Sequence, residues 1–251
     1  MMNNTKGIAR WTALLGLGLA VVAGLVLIIA GPGYRYGWWP LDRGFSMVGY
    51  GLLLGLAAIS LSVAALMLSW YVVSTRGRIY GLAGLIVALV VAYVPYHWYL
   101  LERDSPPIHD IVTDTDRPLA FDRLAAARGA GENSVAYGGA DVARLQHEAY
   151  PTIAPLISER SPSDAFAAVM EVVSDANWDV ANVDTDAMTV EATDRSFWFG
   201  LREDIILKVT PAGAGSRIDM RSQSRIRISD AGTNARRVMQ VLEALRAQLM
   251  H

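Results

Sequence analysis

The chain has 251 residues, 22 Lys/Arg against 24 Asp/Glu, no cysteine and 53% hydrophobic residues. The missing thiols exclude disulfides, thiolate nucleophiles and thiolate metal sites. The near-neutral total hides an asymmetry: residues 1–104 carry seven Lys/Arg and three Asp/Glu, leaving 15 and 21 for the rest, an acidic remainder that makes a poor footprint for nucleic acid.

Three apolar runs, about 11–30, 45–73 and 79–100, have no ionisable residue at their centres. Each reaches the about 20 residues that a helix needs to cross a bilayer core. A transmembrane block over 1–104, with the lipid bilayer as its partner, is the expectation. Lys6 and Arg10 before the first run resemble the charged start of a signal peptide, but the run is long for one and ends in Gly31-Pro32-Gly33 without a small-x-small cleavage site. It reads as a retained anchor, with Gly31-Pro32-Gly33 ending its helix.

Trp38, Trp39, Trp70, Tyr71, Tyr96, Trp98 and Tyr99 fall near the run ends, where aromatic rings mark headgroup zones. Lys6, Arg10, Arg76 and Arg78 fall on one side of three spans, and Arg35, Arg43 and Arg103 on the other. The bias favours an inner-membrane, multi-pass protein with its amino terminus inside and its carboxyl-terminal domain outside, periplasmic in a Gram-negative cell. Gly51-Leu52-Leu53-Leu54-Gly55 permits close helix approach, read first as packing within the block and second as dimerisation. Spans without charge argue against transport.

Residues 105–160 lack a strong period and read as an extended, wrapping segment. Ser105-Pro106-Pro107-Ile108 is a stiff exit from the membrane. His109, Asp110, Asp114 and Asp116 fall within eight residues. They are acid–base candidates, but the spacing matches no metal motif and Asp suits turns equally. Leu119–Arg128 and Asp141–His147 are predicted short helices around a Gly/Ala-rich loop at 129–140.

Residues 161–251 read as a compact α+β unit. Ser161-Pro162-Ser163-Asp164 carries a cap, a first-turn proline and a capping-box acid. Four strands follow, about Trp178–Val183, Met188–Thr193, Asp204–Thr210 and Ser216–Ile228. A last helix covers about Thr233–Leu249. The predicted architecture is a four-stranded antiparallel sheet with helices on one face.

The last strand alternates Ile218, Met220, Ser222, Ser224, Ile226 and Ile228 with Arg217, Asp219, Arg221, Gln223, Arg225 and Arg227. Side chains two apart share a face, so this is a guanidinium ladder, with Glu191, Asp204 and Lys208 placed on the same face of neighbouring strands. Three readings are open: a solvated face with cross-strand ion pairs, a recognition surface for an anionic headgroup, glycan or acidic partner, or a face covered by 105–160 with Asp110, Asp114 or Asp116 pairing to the arginines. Arg236 and Arg237 oppose the dipole of their helix and call for a specific partner, with Asp230 nearby. Phe197-Trp198-Phe199 reads as core or inter-segment packing, with bilayer contact as the second reading.

Several motifs occur in one order: Ser105-Pro106-Pro107-Ile108-His109-Asp110-Ile111 with Thr113-Asp114, Tyr150-Pro151, Gly215-Ser216-Arg217-Ile218-Asp219, Arg221-Ser222, Ser224-Arg225, Ser229-Asp230-Ala231-Gly232 and Asn234-Ala235-Arg236-Arg237. Together they resemble the domain-of-unknown-function family numbered 1499, across most of 105–250. The resemblance implies no activity. It implies a membrane block preceding the domain and raises interest in the ladder and the His109–Asp114 stretch. Where relatives commonly carry two adjacent aspartates, this chain has Arg202-Glu203 before Asp204.

The ligand-binding candidates are Arg217, Asp219, Arg221, Arg225, Asp230 and Arg237, with an anionic ligand or an envelope protein as partner. No cofactor, metal or nucleic acid is expected. The leading expectation is a non-enzymatic envelope binding or scaffold module. The alternatives are a hydrolase-like enzyme using His109 with Asp110 or Asp114, and an accessory subunit of a membrane complex.

Overall fold

A computed structural model describes residues 2–226 and 229–250; Arg227 and Ile228, assigned above to the last strand, lie outside the described residues. The chain divides into two compact units. The first comprises residues up to Leu100 together with Trp198–Gly200, and the second comprises Leu101–Phe197 and the residues from Leu201 onward.

The first unit holds α1 (Met2–Arg35), α2 (Leu41–Tyr71) and α3 (Thr75–Asp104), counted to its end. All three are long and apolar enough to cross a membrane, with mean hydropathies of 2.8, 2.3 and 2.0 over an 18-residue stretch of each. Their burial is inverted relative to a water-soluble bundle. Ala20, Ala58 and Ala88 form the centre, while Leu15, Leu25, Ile28, Leu53, Ile86 and Val90 are exposed. Lipid tails are as apolar as leucine, so close backbone approach through small residues drives association. Gly51 lies against Leu27 and Gly55 against Ala92, which places that motif in packing within the unit.

Gly31-Pro32-Gly33 does not end α1. The helix runs through Pro32 to Arg35. A proline this close to the end removes one intrahelical bond, and the last turn closes beyond it, with Tyr36 N donating to Pro32 O at 2.9 Å. The flanking glycines have a different task. Gly33 makes room for the ring of Trp39, whose Nε1 donates to Ala30 O at 3.1 Å, and Gly31 makes room for Trp198. Phe199 is buried beside Phe45, with ring centroids 4.9 Å apart. Of the aromatic cluster between strands, Trp198 and Phe199 pack within the helical unit, while Phe197 is 95% exposed.

The second unit contains, in order, β1 (Asp110–Val112), α4 (Arg123–Ala126), α5 (Gly139–Ala149), β2 (Leu156–Ser158), α6 (Pro162–Asp175), β3 (Asp179–Asp184), β4 (Thr189–Arg195), β5 (Arg202–Ala212), β6 (Gly215–Ser224) and α7 (Thr233–Leu249). Among the described residues the antiparallel sheet has six strands, not four, in the order β1-β6-β5-β4-β3, with β2 also on β6. The two additional strands come from the segment expected only to wrap. Each is three residues long, too short to show a period, and exists because β6 offers a free edge. β1 pairs with Arg221–Gln223, and β2 pairs with Ser216–Ile218.

One face of the sheet carries Val190, Ile205, Leu207, Val209, Ile218 and Met220 into a core with α6 and α7. Ser161 caps α6 by accepting from Asp164 N, with Pro162 in the first turn, as the sequence indicates. The other face is also covered, a second departure from the predicted two-layer arrangement. Phe121, just before α4, and Leu124, within it, pack on Ile206.

Glycine placement in the bundle yields a controlled prediction. A Cβ on Gly84 would lie 3.0 Å from Leu17 N and 2.7 Å from Ser62 Oγ, whereas one on Gly18 meets nothing within 4 Å. Gly84→Leu should therefore destabilise the detergent-solubilised chain by about 1–3 kcal/mol, the usual cost of overpacking, while Gly18→Leu should leave it unchanged. Thermal unfolding followed by circular dichroism checks both.

Candidate functional site: a buried arginine ladder

The β6 alternation places the predicted residues as the pleat requires. Arg217, Asp219, Arg221 and Gln223 share the face opposite the α6/α7 core. The register sets Lys208 across from Asp219 and Asp204 across from Gln223, while Glu191 and Arg221 both flank Ile206. β6 ends at Ser224, so Arg225 lies just beyond it.

This face is not open to solvent. Arg221 is 2% exposed and Arg225 3%. Arg221 Nε and NH2 donate to Asp110 Oδ1 and Oδ2 at 3.0 and 2.8 Å. Two further N–H groups reach Leu119 O at 2.6 Å and Val135 O at 2.7 Å. Phe121 and Tyr137 flank the guanidinium at 4.9 and 6.0 Å, positions where the ring quadrupole attracts a cation. Burial, with the Asp110 charge second, pushes the Tyr137 hydroxyl up to about 12.

A second node joins the first through Gln223. Its Nε2 donates to Asp110 Oδ2 at 3.0 Å, and its Oε1 accepts from Arg128 NH2 at 2.8 Å. Arg128 and Arg225 each donate from Nε to fully buried Asp204, at 2.8 and 2.9 Å. Glu132 joins Arg225 to Arg202. Glu191, 2% exposed, accepts from the backbone N–H groups of Asp122, Arg123 and Leu124 at 2.9, 3.2 and 2.8 Å. Of the three readings of the ladder, coverage by residues 105–160 describes the geometry. Asp110 and Asp114 face arginines, while Asp116 donates its backbone N–H to Asp114 instead.

At the other end, Arg217 donates to both oxygens of Asp219, at 2.7 and 2.9 Å, and pairs with Asp114. Burial would raise the Asp114 carboxyl. The backbone N–H of Arg117, the Arg217 guanidinium and the N–H of Asp116 outweigh it, and the net shift is downward. Asp110 shifts upward, because burial exceeds the lowering by Arg221.

Asp230 and Arg237 lie in a separate buried cluster on the α7 side. Asp230 accepts from Gly232 N and Asn234 N at 2.8 and 2.9 Å, holding the start of α7. It is not the partner of Arg237, which pairs with Asp194 and Glu203 and donates to Ser222 Oγ and Asn234 Oδ1. Burial raises the Glu203 carboxyl, with Arg237 opposing. The structure thus splits the six ligand-binding candidates into two groups on opposite faces of the sheet.

The acid–base candidates are held in different ways. The carbonyl of His109 continues the β1–β6 ladder, accepting from Ser224 N at 2.9 Å and from Asn234 Nδ2 at 3.1 Å. Asp110 and Asp114 are bonded to guanidinium groups. Among the described residues no group of three or more His, Asp or Glu side chains could hold a metal ion.

Sequence reasoning missed Arg128 and Glu132, which lie at and within the Gly/Ala-rich stretch, and Gln146. The fully buried Gln146 amide accepts from Val112 N at 3.1 Å and donates to Val112 O at 2.7 Å, standing in for a neighbouring strand. A lone Arg followed by Gly-Ala-Gly was the only local signal, and nothing in the α5 sequence marked Gln146.

The sequence model of one family, described as protein of unknown function (DUF1499), matches residues 110–245. That is more than half of the chain, and the chain belongs to this family. The match starts at Asp110 and takes in the whole ladder. No curated protein matches the chain.

Two predictions follow from the ion pairs. Arg221→Met leaves Asp110 buried without its counter-charge and should cost about 3–5 kcal/mol. Adding Asp110→Leu should recover part of that loss in urea unfolding of the full chain; a double variant as weak as the sum of the singles would refute the pairing. The second concerns acid. A carboxyl lowered on folding stabilises above its unfolded pKa of about 3.9 and loses that contribution as pH falls through the lowered value. Asp114→Asn should therefore flatten the acid limb of the stability profile below about pH 4, measured by unfolding at stepped pH.

Proposed function

We propose that the chain is an integral protein of the cytoplasmic membrane whose second unit works outside that membrane as a binding or scaffold module, not as a hydrolase. The observation that carries this reading is the pairing of Asp110 and Asp114 with arginines. A general base needs a free lone pair facing its substrate. Asp110 is 3% exposed, and both of its oxygens accept from Arg221 or Gln223. Asp114 is bonded by Arg217 and by its own turn. These contacts fasten segments together and leave a rigid body suited to presenting a surface.

Three apolar helices support membrane residence, and the Lys/Arg bias of residues 1–104 supports the outward orientation. The ladder serves here as the internal fastening of the binding module. An anionic ligand or acidic partner would reach Arg217, the most accessible of the described ladder arginines at 24% side-chain exposure, before the buried ones.

Carboxyl-terminal fusions in a Gram-negative host test the placement. An alkaline phosphatase fusion should be active and a green fluorescent protein fusion dark; the reverse pattern would refute the orientation. In a strain lacking the protein, His109→Gln/Asp114→Asn should restore the envelope properties that the wild-type chain restores. Failure to do so at normal membrane abundance would favour acid–base chemistry.

A further inference from the structure

The polar side chains of the ladder are committed to one another, but one region of the second unit has the opposite character. A cavity of about 500 Å³ lies between the carboxyl-terminal end of α6, the start of β3 and one side of α7. That volume falls within the roughly 300–1,000 Å³ of small-molecule sites. Its floor includes buried Val172 and Val241. Trp178, half-buried, lines it, and Asp175, Asp194, Arg236, Gln240 and Gln248 supply polar groups.

Among the described residues, the Asp175 carboxylate, the Trp178 indole N–H and the Gln240 amide have no hydrogen-bond or ion-pair partner, with Asp175 and Gln240 exposed to solvent. Gln248 Oε1 is buried with no donor among the described residues. Hydrogen-bonding capacity therefore converges on this cavity unused.

We propose that this groove binds a neutral saccharide unit, with a pyranose ring laid on Trp178. The inference rests on the reading of the second unit as an envelope binding module, and it names a ligand class for that module away from the ladder. Three considerations select the class. The lining carries Asp175 and Asp194 against Arg236 and Arg237, a formal balance of zero, so a ligand with net charge would gain no counter-charge for the hydration it loses. A purely apolar ligand would bury the unused amide and carboxylate groups without partners, each at about 1–3 kcal/mol. A pyranose meets both demands. One face is a patch of C–H groups, weakly positive and attracted to the negative face of an indole. Its rim alternates hydroxyl donors and acceptors, matching carboxylate and amide oxygens on one side and Arg236 and Gln240 N–H groups on the other. Arg237 takes part indirectly. Its bond to Asp194 Oδ2 at 2.8 Å holds that carboxylate at the rim, so Arg237 is a positioning residue.

The test uses the full chain in lipid nanodiscs, with N,N′-diacetylchitobiose and cellobiose as probes and adenosine as a neutral planar competitor. Saturation-transfer NMR should show transfer to at least one disaccharide, with titration giving a Kd on the order of 1 mM. Trp178→Ala should weaken binding at least tenfold. Trp178 packs partly against the core, so Gln240→Ala, at an exposed position, provides a second variant whose folding is not at risk; it should weaken binding several-fold with unchanged unfolding. No transfer to either disaccharide, transfer to adenosine alone, or disaccharide binding indifferent to both substitutions would each overturn the proposal. Release of free monosaccharide during the titration would support the groove as a sugar site while refuting the non-catalytic reading, so the two failures are distinguishable.

Discussion

The pairing of Arg221 with Asp110 is the constraint around which the second unit is organised. A guanidinium and a carboxylate removed from water cost several kcal/mol each, and mutual attraction offsets this only when further hydrogen bonds complete both groups. Here the completion comes from distant parts of the chain: Asp110 from β1, Leu119 O and Val135 O from the covering segment, and Gln223 from β6 itself. None of these pieces satisfies the pair alone. Between β1 and residue 135 the covering segment buries only two large apolar side chains among the described residues, Phe121 and Leu124, so the position of that stretch depends heavily on polar contacts. The charges act here as a device of specificity: they define one placement of residues 110–135 over the sheet, where apolar contact alone would tolerate several.

The same device recurs at a smaller scale. Glu191 serves the backbone N–H groups of Asp122, Arg123 and Leu124, and Asp230 serves Gly232 and Asn234. Neither carboxylate lies in the first turn of the helix that it serves. A four-residue helix such as α4 has no capacity to hold itself, so an acid donated by a neighbouring strand does so. Gln146 does for the outer edge of β1 what a seventh strand would do, which explains how a three-residue edge strand persists within a buried network.

How much of this was legible depended on whether the signal was periodic. The alternation from Arg217 to Arg225 is local and strict, so the ladder, its face and its neighbours Glu191, Asp204 and Lys208 follow from strand geometry. α7 runs from Thr233 to Leu249 as its apolar stripe requires. β1 and β2 were not legible, because three residues carry no period and their extended state is imposed by the free edge of β6. Arg128 and Glu132 were hidden for a related reason: their partners are 76 and 93 residues away, and a loop sequence contains no record of what it covers. Pro32 misled because its ring forbids one particular bond, not a helix as such, and near a terminus that bond is dispensable. Arg237 invited Asp230 by proximity in sequence, yet the pleat brought Asp194 and Glu203 to it instead.

The contrast between the two polar regions of the domain bears directly on function. At the buried arginines of the described ladder, Arg221 and Arg225, the guanidinium groups are bonded within the protein, so a ligand there would have to displace an internal partner at desolvation cost before gaining anything. In the α6/α7 groove, Asp175, Trp178, Gln240 and Gln248 present capacity that the fold does not use. Evolution can satisfy a polar group inside the protein or leave it for something outside, and the choice shows in the hydrogen bonds. A residue such as Arg221 is the more conspicuous in sequence because it belongs to a ladder, but its burial against Asp110 is what removes it from recognition. The accessible chemistry then falls to side chains without any sequence pattern. That is why the arginine alternation identifies how the domain is held together more directly than what the domain holds.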